Sequence, residues 1–209
     1  AQTAGFALAI HAIGDRTAEQ ALNIIKRVED ENPEPHLRHR LIHAQILNDQ
    51  IMEQMVEYNV IAEIQPIFLN TDHNWAGDRL GERIKTCYNW QTMWQKGIRL
   101  SGSSDCPVEP VNPLWGIYCS VTRKDLEGEP EGGWYPKEAL TLKQALHLFT
   151  TCAAYTGGEE DVTGSLEEGR RADLVILDRP IDEIPLDEIK DLEVIMTILD
   201  GEIVYQKQN

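Results

Sequence analysis

The chain has 209 residues, 42% of them hydrophobic, and a formal net charge of −16. That length allows one large domain or a domain with a small appendage, and that hydrophobic share is enough for a packed core. The acidic balance argues against nucleic acid and against an anionic membrane surface, since both require clustered Lys and Arg; it reads as a solvated exterior.

No apolar run reaches the roughly 18 residues that suggest a membrane span. The opening stretch AQTAGFALAIHAIGD has no basic leader and reads like the interior of a domain, because a strand begins almost at once. Cys87, Cys106, Cys119 and Cys152 are scattered without a CxxC pair, as expected for reduced thiols in the cytoplasm.

Short apolar runs then alternate with helical patterns. Phe6 to Ile10 is a strand leading into HAIGD, and a helix follows with Ala18, Ala21, Leu22, Ile25 and Val28 on one face, with Thr17 and Gln20 as its capping box. Pro33 and Pro35 end that unit. RLIHAQ is a second strand; Asn48 or Asp49 caps a second helix whose Ile51, Met52, Met55 and Tyr58 point inward. VIAEIQPIFL is a third strand stopping near Pro66. A polar loop, a short helix around WQTMWQKG ended by Gly97, and a fourth strand, IRLSGSSDCPV, come next. A long loop leads to a helix over TLKQALHLFTTCAAYTG with a Thr141–Gln144 capping box. After Gly158 the pattern changes to the strands RADLVILD and EVIMTILDGEIVYQ, with Asp200-Gly201 as a hairpin turn. Repeated strand–helix units with buried-type strands predict a parallel sheet over residues 1–158, and residues 159–209 a small antiparallel β appendage.

His11, His43 and Asp105 each fall at or just beyond the carboxyl end of a predicted parallel strand, where active-site groups converge in β/α barrels. Two imidazoles and a carboxylate are a partial ligand set for zinc or iron. Asp15 and Gln45 are near enough in sequence to orient those imidazoles, against the simpler roles of helix capping or strand-end hydrogen bonding. Asp72, His73 and Arg83, with Trp75, lie in the loop after the third strand and border the expected pocket mouth; Arg123, after the fourth, offers a fork for a substrate carboxylate. His36 and His39 read as surface residues at the opposite end, His147 as structural, and Trp90, Trp94 and Trp115 as packing.

The stretches HAIGDRTAEQAL, RLIHAQ, AEIQPIFLNTD, RLGERIK, SGSSDCPVEPVNPLWGI and GSLEEGRRADLVILD resemble successive stretches of the amidohydrolase superfamily, and most closely the group called amidohydrolase family 3, from the first residues to about Gly201. The resemblance implies an α/β fold: the C-terminal half of a (β/α)8 TIM-type barrel, strands five to eight, with part of a small β domain. It implies that His11 and His43 are the strand-five and strand-six metal ligands and Asp105 the strand-eight aspartate, ligand and catalytic base together. The family's strand-one HxH and its strand-four bridging ligand have no counterpart here. The implied cofactor is a divalent metal, most simply zinc; the implied reaction is hydrolysis of a non-peptide C–N bond in a small-molecule substrate. Two other readings are a deaminase of the same superfamily and a non-catalytic binding module that keeps the fold.

Four strands in place of eight leave two open edges and a wet inner face, with Phe6, Leu8, Ile10, Ile61, Ile64 and Leu100 among the apolar strand residues. The chain is therefore expected to be completed by the N-terminal half of the enzyme or by a second copy in a homodimer.

Overall fold

The structure, a computed structural model, describes residues 1–34 and 36–208. Pro35, expected to help end the first unit, lies outside the described residues. In chain order the elements are β1 (Ala9–Ala12), α1 (Asp15–Glu31), β2 (Arg40–His43), α2 (Asp49–Glu57), β3 (Ile61–Ile64), α3 (Leu69–Asp72), α4 (Ala76–Leu80), α5 (Trp90–Gln95), β4 (Leu100–Gly102), α6 (Pro113–Thr122), α7 (Leu142–Phe149), α8 (Thr151–Gly157), β5 (Leu174–Leu177), β6 (Val194–Leu199) and β7 (Glu202–Gln206). Among the described residues, no helix is long and apolar enough to cross a membrane.

Strands β1 to β4 form one parallel sheet in sequence order, and β5 to β7 a separate antiparallel sheet. The expected α/β class with a parallel sheet is present. The register sorts the parallel sheet into two faces, because side chains alternate along a strand. Ile10, Leu41, Ala62 and Leu100 make one row, and Ala12, Ile64 and Gly102 lie in the next row on that same face. Leu41, Ala62, Leu100, Ala12 and Ile64 are all buried. Gly102 admits the Phe149 ring from α7: an added Cβ would meet Phe149 Cζ at 2.7 Å. The opposite face carries His11, Ile42, Glu63 and Ser101 in one row and Ala9, Arg40 and Ile61 in another. It is not the apolar surface that the strand composition suggests: Arg40 and Glu63 form an ion pair across it at 3.4 Å. Most of the apolar strand residues face the helices, and Phe6 lies outside any strand and 67% exposed.

Several local signals are realised as the sequence predicts. Asn48 accepts from Ile51 N–H and caps α2; Thr141 and Gln144 form a reciprocal capping box on α7. Asp200 and Gly201, with φ of 50° and 83°, take the left-handed pair that a two-residue hairpin between β6 and β7 requires. Others differ. Helix α1 starts at Asp15 behind Gly14, with no side-chain cap, so Thr17 sits inside its first turn and not at the cap. The long loop after β4 contains α6, which the sequence conceals because Leu114 and every residue from Gly116 to Val121 are buried. A helix surrounded by core has no polar stripe and hence no 3.6-residue signal. The last helical stretch breaks at Thr150 into α7 and α8.

Candidate metal and catalytic site

At the carboxyl end of the sheet, His43 Nε2 lies 2.8 Å from His11 Nδ1, the rings meeting edge-on with centroids 4.4 Å apart. Strand register does not put them together: His11 pairs with Ile42, and His43 with Ala12. A regular strand would send the two imidazoles to opposite faces. The alternation is broken at His43, whose φ is 76°, and Ala44 follows at 48°. Positive φ at a non-glycine residue is strained and concentrates at functional sites.

The ring of His43 is held by a residue the sequence reading passed over. Gln65, one residue beyond β3, places Oε1 2.8 Å from His43 Nδ1, and its Nε2 donates to Glu63 O at 3.2 Å and Ser103 Oγ at 2.8 Å. The carbonyl of Glu63 can only accept, so the amide nitrogen must face it and Oε1 must face the ring. His43 Nδ1 therefore carries hydrogen, and the lone pair on Nε2 points at His11. Both His43 and Gln65 are buried, at 4% and 3% exposure. The clue in the sequence was a polar residue closing an apolar strand, as His11 and His43 do.

Two imidazole nitrogens facing each other suit a divalent cation. Bound tetrahedrally at ~2.1 Å each, they would stand roughly 3.4 Å apart, so an opening of about half an ångström converts the hydrogen-bonded pair into a ligand pair. The donor chemistry therefore fits a metal, as part of a set. Asp105 does not complete it within this chain: among the described residues no group of three or more His, Cys, Asp or Glu side chains is gathered to hold a metal ion. Asp105 sits in an exposed turn after β4, with φ 55°. Strands β1 and β4 are three spacings apart in an open sheet, roughly 14 Å.

The remaining candidates are tied into the protein. Asp15 pairs with Arg83 at 2.9 Å on the surface, which holds the Asp15 carboxyl below its ordinary range. Asp72 accepts from the Tyr88 hydroxyl and from Gln45 Nε2. Burial pushes its carboxyl above the usual range against those hydrogen bonds. Neither Asp15 nor Gln45 is bonded to the two imidazoles. His73 Nδ1 meets Leu69 O at 3.0 Å, and its Nε2 lies 3.5 Å from Asp125.

Arg123 is fully buried, in place of the exposed loop position expected from the sequence. It caps α6 with φ 60°, donates from Nε to Trp134 O and from Nη1 to Tyr88 O, and stacks over Trp90 at 4.2 Å. Burial lowers its guanidinium to about 10. His39 is likewise no surface residue. It is 2% exposed, its Nδ1 accepts from Leu8 N–H, and its Nε2 faces Glu29 at 2.9 Å.

A parallel sheet whose strand ends bring two imidazoles face to face defines an α/β protein with a candidate metal site. The chain belongs to the amidohydrolase family, whose model matches residues 1–205. It is 36% identical over 99% of its length to YtcJ of Bacillus subtilis (strain 168), which carries an amidohydrolase name, and spans 39% of that protein. It is 28% identical over 97% of its length to the N-substituted formamide deformylase of Arthrobacter pascens, spanning 37% of it. The crystal structure of an uncharacterized metal-dependent hydrolase from Pyrococcus horikoshii OT3 superposes on 89% of the chain with a TM-score of 0.76 and 30% identity, the match covering 36% of that structure. The chain thus spans about two fifths of the length of each of these three proteins.

Proposed function

We propose that this chain is part of a metal-dependent hydrolase that cleaves a non-peptide C–N bond, in an amide, cyclic amide or amidine, of a small molecule. The observation that carries the reading is the His11–His43 pair, brought together by a strained residue and held in one tautomer by Gln65. His11 and His43 would hold a divalent ion, zinc by preference for an imidazole-rich set. A divalent ion held there would supply Lewis acidity, lowering the pKa of a water and polarising the scissile carbonyl. In the complete protein Asp105, which this chain alone does not bring to the two imidazoles, would accept the proton of the attacking water and deliver it to the leaving nitrogen. The formamide deformylase name of one relative supports the C–N class, and the name of the Pyrococcus structure supports metal dependence.

In this reading residues 1–158 supply strands five to eight of an eight-stranded barrel, and 159–209 part of a small β domain. The remaining ligands and strands come from the rest of a longer protein, or the open edges close against a second copy. Metal analysis of the full-length protein, with a screen of N-acyl amines and cyclic amides, tests it. Stoichiometric metal lost on His43→Ala, together with amide cleavage, is expected; a protein that holds no metal and cleaves no C–N bond sinks it.

A further inference from the structure

We propose that a cavity of about 270 Å³ beyond the ends of β3 and β4 is the subsite for a compact, uncharged apolar group of the substrate carried next to a hydrogen-bond acceptor, with Ser103 donating to that acceptor. The inference rests on the amidohydrolase reading, and it names the kind of substrate that reading left open.

The walls of the cavity include Ile67, Ser103, Ser104, Val111, Asn112 and Phe149, and no charged side chain lines it. Apolar surface favours an apolar guest, and these walls offer no counter-charge to a carboxylate or ammonium. The volume, just below the ~300–1,000 Å³ of whole-ligand pockets, suits one ring or short chain of a substrate. Phe149 lines it because two glycines make room for the ring. A Cβ at Gly102 or at Gly116 would approach Phe149 Cζ to 2.7 Å.

The polar end of the cavity is wired to the imidazoles. His11, His43, Gln65 and Ser103 form one hydrogen-bonded row across the ends of all four parallel strands, each link 2.8 Å. Ser103 Oγ accepts from Gln65 Nε2, so its own proton is free to be given away. Among the described residues no acceptor takes it. A donor beside an apolar pocket, one amide away from His43, matches a neutral amide whose apolar substituent fills the cavity.

Equilibrium dialysis of the full-length protein with benzamide, which pairs a ring with a carbonyl acceptor, tests this directly. Benzamide should bind with Kd of about 1 mM or tighter, and 4-carboxybenzamide at least about tenfold more weakly because its charge meets apolar walls with no counter-charge. Val111→Trp fills the cavity from a rim position that is 69% exposed, so folding is little affected. It should weaken benzamide by about tenfold or more, within the range for steric changes in an apolar pocket. Ser103→Ala removes one hydrogen bond and should weaken it by about two- to tenfold. Val111→Thr, nearly isosteric, should bind benzamide almost as the wild type does. Absent benzamide binding, equal binding of the charged analogue, or binding unchanged in Val111→Trp or Ser103→Ala overturns the proposal. Benzamide bound as described by a protein that cleaves no amide supports the subsite and counts against the hydrolase reading alone.

Discussion

His43 faces His11 across a break in strand alternation: their nitrogens are 2.8 Å apart although register pairs neither residue with the other. The orientation depends on the left-handed backbone at His43 and on the Gln65 amide. Removing the amide oxygen should loosen the ring without removing the ligand. In the full-length protein Gln65→Leu should weaken metal binding by about 10- to 100-fold, the usual effect of losing a residue that orients a metal-ligating histidine. Metal competition against a chromogenic chelator measures this, and an affinity within twofold of wild type would show that Gln65 does not orient the site.

Asp105 is exposed and its side chain makes no hydrogen bond among the described residues, so Asp105→Asn should leave the melting temperature nearly unchanged. As the proposed base it should lower kcat by about 10²- to 10⁴-fold. Equal turnover in the variant would exclude it from proton transfer.

Metal binding by the 209 residues alone should be weak, because two imidazoles are short of a full set. Inductively coupled plasma analysis after dialysis against a chelator should find the chain metal-free; a retained stoichiometric zinc would contradict this.

The same chain alone should associate. Strands β1 and β4 are open edges, β7 is exposed along its whole length, and Val175, Ile176, Leu199, Ile203, Val204 and Tyr205 stand in solvent on the small sheet. Unpaired edges with apolar side chains recruit further strands. Sedimentation velocity should show dimers or larger species; a stable, cooperatively unfolding monomer would refute the expectation.

Asp72 offers a pH test. Burial holds its folded-state carboxyl above the unfolded value of 3.8. Between those two values the folded state binds more protons than the unfolded state, so this group makes stability fall as pH rises through the folded pKa. Urea midpoints from pH 4 to 7 should therefore show a smaller loss with rising pH in Asp72→Asn than in wild type. An identical pH dependence would place the ionised carboxylate at no net cost.

What the sequence determined by itself was local. The cap at Asn48, the capping box of Thr141 and Gln144, the Asp200-Gly201 turn and the strand–helix alternation are written in residues a few positions apart. Propensity and hydrogen bonding act at that range, and so do the strand-end positions of His11 and His43. The tertiary structure decided what depends on residues far apart in the chain. It turned His43 toward His11, put Gln65 behind it, and buried Arg123 beneath Trp90 and His39 beside Glu29. It formed α6 inside the core, where no amphipathic period was needed. Burial and ring orientation are set by partners that the fold brings near, about 22 residues away for Gln65 and His43, and no window of neighbouring residues carries that information.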